Sequence, residues 1–130
     1  MRIRLSSIFV DDQDKARAFY TDVLGFEVRH DVPAGAYRWL TLVAPDDPEG
    51  AELVLEPVDQ DFARDFQSAL FERGIPITMF EVDDLEAEHA RLRERGVVFS
   101  MDPTPQGPVS LAVFADTCGN HVQLFQPAAG

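Results

Sequence analysis

Three histidines, one cysteine and a few polar residues in strand-like runs are the side chains best equipped for chemistry. An imidazole can ligate a metal or move a proton near neutral pH. His121 and Gln123 stand two apart in GNHVQLFQP, a spacing that puts both on one face of a strand. They supply two donors, short of the three or four protein ligands that a zinc site takes. His30 falls at a strand end and His89 on the polar side of a helical run, positions that suit structural or solvated histidines. Cys118 sits in the turn DTCGN with no basic partner, so no catalytic role attaches to it. Glu81 is either a general base or cation contact, or a rim carboxylate bonded to a neighbouring strand. No G-x-S-x-G, phosphate-cradling glycine loop or ordered Ser/His/Asp set is present. Catalytic residues therefore stay unassigned.

The elements that would position these groups repeat. Val10-Asp11-Asp12 leads into a helical pattern ending at Gly25, and Val82-Asp83-Asp84 into another ending at Gly96. The offsets are 82 − 10 = 72 and 96 − 25 = 71, and LVLEP and QLFQP close each half at 127 − 57 = 70. Three ordered landmarks at nearly one offset indicate duplication. Each half begins with a strand, 3–10 or 76–82, rich in Ile, Val, Phe and Thr. Asp11-Asp12 and Asp83-Asp84 then supply N-cap carboxylates. Ala16, Phe19, Tyr20, Val23 and Leu24 recur at helical spacing, and Gly25 and Gly96 suit a C′ position. Three strands follow in each half, 26–32, 37–44 and 52–57, then 97–101, 109–115 and 121–126. Turn chemistry separates them at PDDPEG, DPTPQGP and DTCGN. Each half thus reads βαβββ. Phe62, Phe66 and Leu70 fall four apart in a connecting helix, 60–73, read as laid over one face or used at a dimer contact.

The organisation is one domain over 1–130, with a first module at 1–58, a helical linker at 59–75 and a second module at 76–127. The length and the 45% hydrophobic content allow a core without disulfides. One cysteine excludes an intramolecular disulfide framework and suits a reducing, cytoplasmic setting. No run approaches membrane-spanning length, and the N-terminal apolar run is too short for a signal peptide. A net charge of −12 repels phosphate backbones, which argues against nucleic acid as a partner. The same charge favours cationic ligands, or serves only solubility.

The ordered words VDDQDKARAFYTDVLGFEV, FEVDDLEAEHARLRERGV and FADTCGNHVQLFQP resemble the vicinal-oxygen-chelate superfamily of glyoxalase I, bleomycin-resistance proteins and extradiol dioxygenases. The resemblance spans residues 3 to 127. It implies an α+β fold in which two βαβββ modules form a curved mixed sheet around a ligand cup, helices outside. Metal-using members take ligands from the first and fourth strands of each module. Counting from the Asp-Asp and Pro landmarks puts those positions at Leu5, Leu53, Ile77 and Gln123, which offer one donor among four. The expectation is no catalytic metal and no cofactor.

Residues in phase with those positions would line the cup. In the first module these are Leu5, Ser7 and Phe9, then Leu53 and Leu55. In the second they are Ile77, Met79 and Glu81, then His121, Gln123 and Phe125. Trp39 and Thr41 join from the third strand. Trp39 is either a stacking platform or a core tryptophan, Gln123 either a ligand-orienting group or a space-filler, and Met79 packing rather than recognition. Ile8, Val10, Val54, Phe80, Val82, Val122 and Leu124 would form the core beneath the helices. The resemblance then implies a metal-free homodimer that sequesters an unidentified bulky or cationic small molecule. The alternative is a superfamily enzyme: a metal-dependent lyase, isomerase or dioxygenase, or a metal-free catalyst using Glu81 or His121.

Overall fold

The duplicated landmarks fold as two copies of one unit. The computed structural model describes residues 1–128 and divides into Met1–Asp65 and Phe66–Gly130. The first unit runs β1 (Leu5–Val10), α1 (Gln13–Ala18), β2 (Glu27–Ala34), β3 (Tyr37–Val43) and β4 (Glu52–Pro57). The second runs β5 (Thr78–Glu81), α3 (Leu85–Glu94), β6 (Phe99–Gln106), β7 (Val109–Ala115) and β8 (His121–Pro127). A further helix, α2 (Asp61–Glu72), begins in the first unit and ends in the second. Each unit holds one four-stranded mixed sheet, ordered β1-β4-β3-β2 and β5-β8-β7-β6. The outer pairs β1–β4 and β5–β8 are parallel and the other neighbours antiparallel. The fold is α+β, as the resemblance implied.

Local chemistry explains why the two helices start and stop alike. Asp12 and Asp84 each cap a helix, accepting the backbone N–H of Lys15 and of Ala87 at 3.0 Å. Gly25 and Gly96 then leave their helices at φ 94° and 86°, where a Cβ would be strained. The first helix does not stay regular. After Ala18 it widens into a π-helical stretch, Phe19–Val23, in which Leu24 N–H reaches back to the Phe19 carbonyl at 3.1 Å. Ala16, Phe19 and Tyr20 remain buried.

Strand register decides which side chains face the helices. Residues paired across neighbouring strands project to the same side. Ile8 pairs with Leu55, and Leu42 with Leu53. This face also holds Val10 and Leu40, and with Ala16 and Tyr20 of α1 it forms the first core. Full burial of each such leucine contributes about 1.5–3 kcal/mol. In the second unit Phe80 pairs with Leu124 and Leu124 with Ala112, while Val122 pairs with Phe114. Leu85 and Leu92 of α3 are buried with them.

One expectation needs correction. DPTPQGP is not a turn throughout: β6 runs on to Gln106, and register shifts near Met101 and Thr104 accommodate Pro103 and Pro105. The connecting helix, for which the sequence leaves open packing over one face or a dimer contact, packs by a side other than Phe62 and Phe66. It buries Ala63 and Gln67, leaving Phe62 and Phe66 at 71% and 50% exposure. The cause is polar. Gln67 Nε2 donates to the Cys118 carbonyl and to Asn120 Oδ1, both at 3.1 Å, which fixes the helix by its amide.

Candidate functional site

The face of the first sheet turned away from Ile8 and Leu55 carries Leu5, Ser7 and Phe9 of β1 together with Glu52, Val54 and Glu56 of β4. From β3, Thr41 pairs with Val54, so Thr41 and Trp39 share this face, with His30 and Val32 of β2 opposite them. The sequence-derived phase is thus right for β1 and β3 and one residue out for β4. Leu53 and Leu55, expected to line the cup, are 8% and 0% exposed on the core side, although Leu55 still borders the cavity described next.

The error has an identifiable source. Ser7 pairs with Val54 and Met79 with Gln123, so the β1 to β5 offset is 79 − 7 = 72 and the β4 to β8 offset is 123 − 54 = 69. Counting from the terminal prolines uses 70. The alternation Glu52-Leu53-Val54-Leu55-Glu56, polar at both ends and leucine between, carried the correct phase.

A cavity of about 260 Å³ opens on this face, lined by Phe9, Trp39, Val54 and Glu56 with Arg38 and Asp59. Ala34, Pro57 and Leu55 complete it. Trp39 is 38% exposed here, so it is a wall rather than core. Charge on the lining is unbalanced. Arg38 is tied up, its Nε 2.7 Å from Asp31 and an Nη 2.9 Å from Asp14. Burial works against the charge of Asp31, but hydrogen bonds and Coulombic attraction from Arg38 and Arg17 prevail and hold its carboxyl below the usual range. Asp31 in turn raises Arg38. Among the described residues Glu56 and Asp59 make no ion pair or side-chain hydrogen bond.

The other candidates do not join this cavity. Leu5 and Ser7 are exposed farther along β1. His30 Nε2 is 3.8 Å from Glu52 Oε1, which also accepts the Thr41 hydroxyl at 2.7 Å. His89 packs edge-on against Phe99 and lies 3.1 Å from Asp102, a structural placement. In the second unit, Met79, Gln123 and His121 share the open face with Glu81 and Phe125. Ile77 precedes β5 and donates its N–H to the His121 carbonyl. The His121 ring stacks on Phe71 at 4.3 Å, and its Nδ1 is buried without a partner. Glu81 pairs with Phe125, four residues from His121, or roughly 13 Å along the strand. The two therefore cannot work on one proton.

With the phase corrected, the strand positions that hold a metal in the resembled proteins carry Leu5, Val54, Ile77 and Gln123. Three aliphatic side chains offer a divalent cation no lone pair, and the residues do not fit one. Among the described residues no three His, Cys, Asp or Glu side chains cluster as ligands. No helix there is long and apolar enough to cross a membrane. Sequence reasoning missed Arg38, Glu56 and Asp59. Only for Glu56 did a signal exist, the β4 alternation.

Comparison with known proteins agrees with this fold. The chain is 52% identical over 126 residues to uncharacterized protein YurT of Bacillus subtilis (strain 168), covering 97% of this chain and 99% of that one. Among solved structures it is similar to UcmS2, at 37% identity and TM-score 0.84, with 96% and 97% of the two chains covered. It is also similar to TnmS3, an antibiotic binding protein from Streptomyces sp. CB03234, at 29% identity and TM-score 0.76, with 98% and 97% covered. Residues 2–124 match the Glyoxalase/Bleomycin resistance protein/Dioxygenase superfamily, and the chain belongs to that superfamily.

Proposed function

We propose that this protein binds and sequesters a small organic molecule without a catalytic metal. The ligand sits in the first-unit cleft, a ring against Phe9 and Trp39 and a cationic group toward Glu56 and Asp59. One observation carries the reading: an aromatic-walled cavity whose only cation, among its lining residues, is already neutralised while two carboxylates are unpaired. Ligand sites are commonly apolar clefts with a few polar groups that set orientation. A tryptophan at 38% exposure offers a large flat surface that a planar ligand would cover. The similarity to an antibiotic binding protein supports the same class of function. The reading includes a homodimer, which sedimentation at twice the chain mass would establish, in the cytoplasm, where the buried Cys118 thiol stays reduced.

The test has two arms. Cationic aromatic compounds, bleomycins included, are titrated while Trp39 emission is followed, and saturable quenching is expected. Chelator-stripped protein is then melted with Zn²⁺, Ni²⁺, Co²⁺, Mn²⁺ or Fe²⁺ added separately. A site filled to 100 times its Kd would add about 2.7 kcal/mol and raise Tm by several degrees, and no such shift is expected. Absent quenching across the panel together with a saturable metal shift would replace this reading with a metal-dependent enzyme.

A further inference from the structure

Gln13 stands at a position where the two units differ. Its N-cap neighbour Asp12 corresponds to Asp84, so Gln13 corresponds to Leu85 of the second unit (85 − 13 = 72). Leu85 is a buried core residue. Gln13 is also buried, at 8% exposure, but its amide goes into the sheet. Nε2 donates to the Arg38 carbonyl of β3 at 2.9 Å and to the Leu55 carbonyl of β4 at 3.0 Å. Oε1 accepts the Arg38 N–H at 3.1 Å.

The β3–β4 ladder stops at this amide. It registers two pairs, Thr41 with Val54 and Leu42 with Leu53. The corresponding β7–β8 ladder registers seven, from Val109–Pro127 to Ala115–His121. Beyond Thr41, β3 follows β2, to which it stays paired through Trp39 and Arg38, while β4 follows β1 to Pro57. Backbone groups that would continue the ladder bond to the glutamine instead. Arg38, Trp39, Leu55 and Glu56, the residues beside the split, all line the cavity.

We propose that Gln13 is a positioning residue: its amide wedges β3 from β4 and thereby creates the ligand cleft of the first unit. The inference rests on the reading of that cleft as the binding site. Buried backbone groups must find partners. With the amide gone, these groups find partners by extending the ladder in its register, the Leu55 carbonyl opposite Leu40 and the Arg38 N–H opposite the Pro57 carbonyl, which brings Trp39 level with Glu56 and fills the cleft. The second unit, with Leu85 in place, has such a continuous ladder within the same chain.

The full chain carrying Gln13→Leu tests it, with Gln13→Met, closer in length, as the second variant. Three readouts separate the possibilities: acrylamide quenching of Trp39, cross-strand nuclear Overhauser contacts between Trp39 and Glu56, and titration with the planar cationic dye proflavine. The variants are expected to shield Trp39 from acrylamide, to gain the cross-strand contacts and to lose saturable proflavine binding. Unchanged Trp39 access and no new contacts would overturn the wedge. A closed ladder with undiminished dye binding would uphold the wedge and overturn the cleft as the site. In the unaltered protein, the Gln13 side-chain amide protons should exchange more slowly than those of exposed Gln60. Equal exchange would also overturn the proposal, whether or not the variants fold.

Discussion

Removal of the Asp116 carboxylate should cost a large share of the fold's stability. Asp116 is fully buried in the turn between β7 and β8. Its Oδ1 accepts the Cys118 N–H at 2.7 Å and the Asn120 N–H at 3.0 Å, and its Oδ2 accepts Asn120 Nδ2 at 2.8 Å. Asn120 Oδ1 in turn accepts from Gln67, so the same carboxylate orders the contact that holds α2. Asp116→Ala strands three donors, each worth about 1–3 kcal/mol when buried and unsatisfied. Thr117 is exposed, which lets water reach part of the turn and keeps the total near the low end, about 3–4 kcal/mol. Against a whole-protein stability of about 5–15 kcal/mol that is a large share. For a chain of this size about 3–5 °C per kcal/mol applies, so Tm should fall by roughly 10–15 °C. Asp116→Asn keeps one acceptor and sets an NH₂ against Asn120 Nδ2, for about half the loss. Urea denaturation at pH 7 followed by far-UV circular dichroism measures both, since the single tryptophan reports on the other unit. A loss below about 1 kcal/mol for Asp116→Ala would refute the reasoning, because the donors would then have found other partners.

Asp31→Asn should blunt acid sensitivity. The folded carboxyl lies below its ordinary 3.8, so its pairing contributes stability that is present above that value and lost as pH falls through the lower folded one. The variant is therefore less stable at pH 7, and its melting temperature changes less between pH 5 and pH 3. Gly119→Ala places a Cβ 2.8 Å from the Gln67 amide carbon at φ 97°, and a loss of about 2–3 kcal/mol in urea denaturation is expected. A neutral result would mean that the α2 clamp gives way freely. Glu56→Gln should weaken proflavine binding by about 1.5 kcal/mol, roughly tenfold in Kd, and flatten its salt dependence. Unaltered Kd and salt slope would remove Glu56 from the site.

Much of the architecture was legible because it rests on local chemistry that repeats. Asp12 and Asp84 had to cap, Gly25 and Gly96 had to take positive φ, and the apolar runs between them had to be strands, so two βαβββ halves followed from order alone. Aliphatic residues at Leu5 and Ile77 carried the expectation of no metal. Three things depended on tertiary structure. A strand's phase relative to its neighbours is set by cross-strand pairing, and the β3–β4 hairpin is three residues longer than its counterpart (Thr41 to Val54 against Val113 to Gln123), so counting from the terminal prolines misplaced Leu53 and Leu55 by one residue. The side on which α2 packs was decided by Gln67 finding polar partners 51 and 53 residues away, against the pull of three evenly spaced apolar residues. The cleft itself depends on Gln13 reaching backbone groups 25 and 42 residues along the chain. A glutamine one residue after a helix cap carries no local sign of such a role, because hydrogen bonds across a sheet are made by proximity in space and leave no period in the sequence.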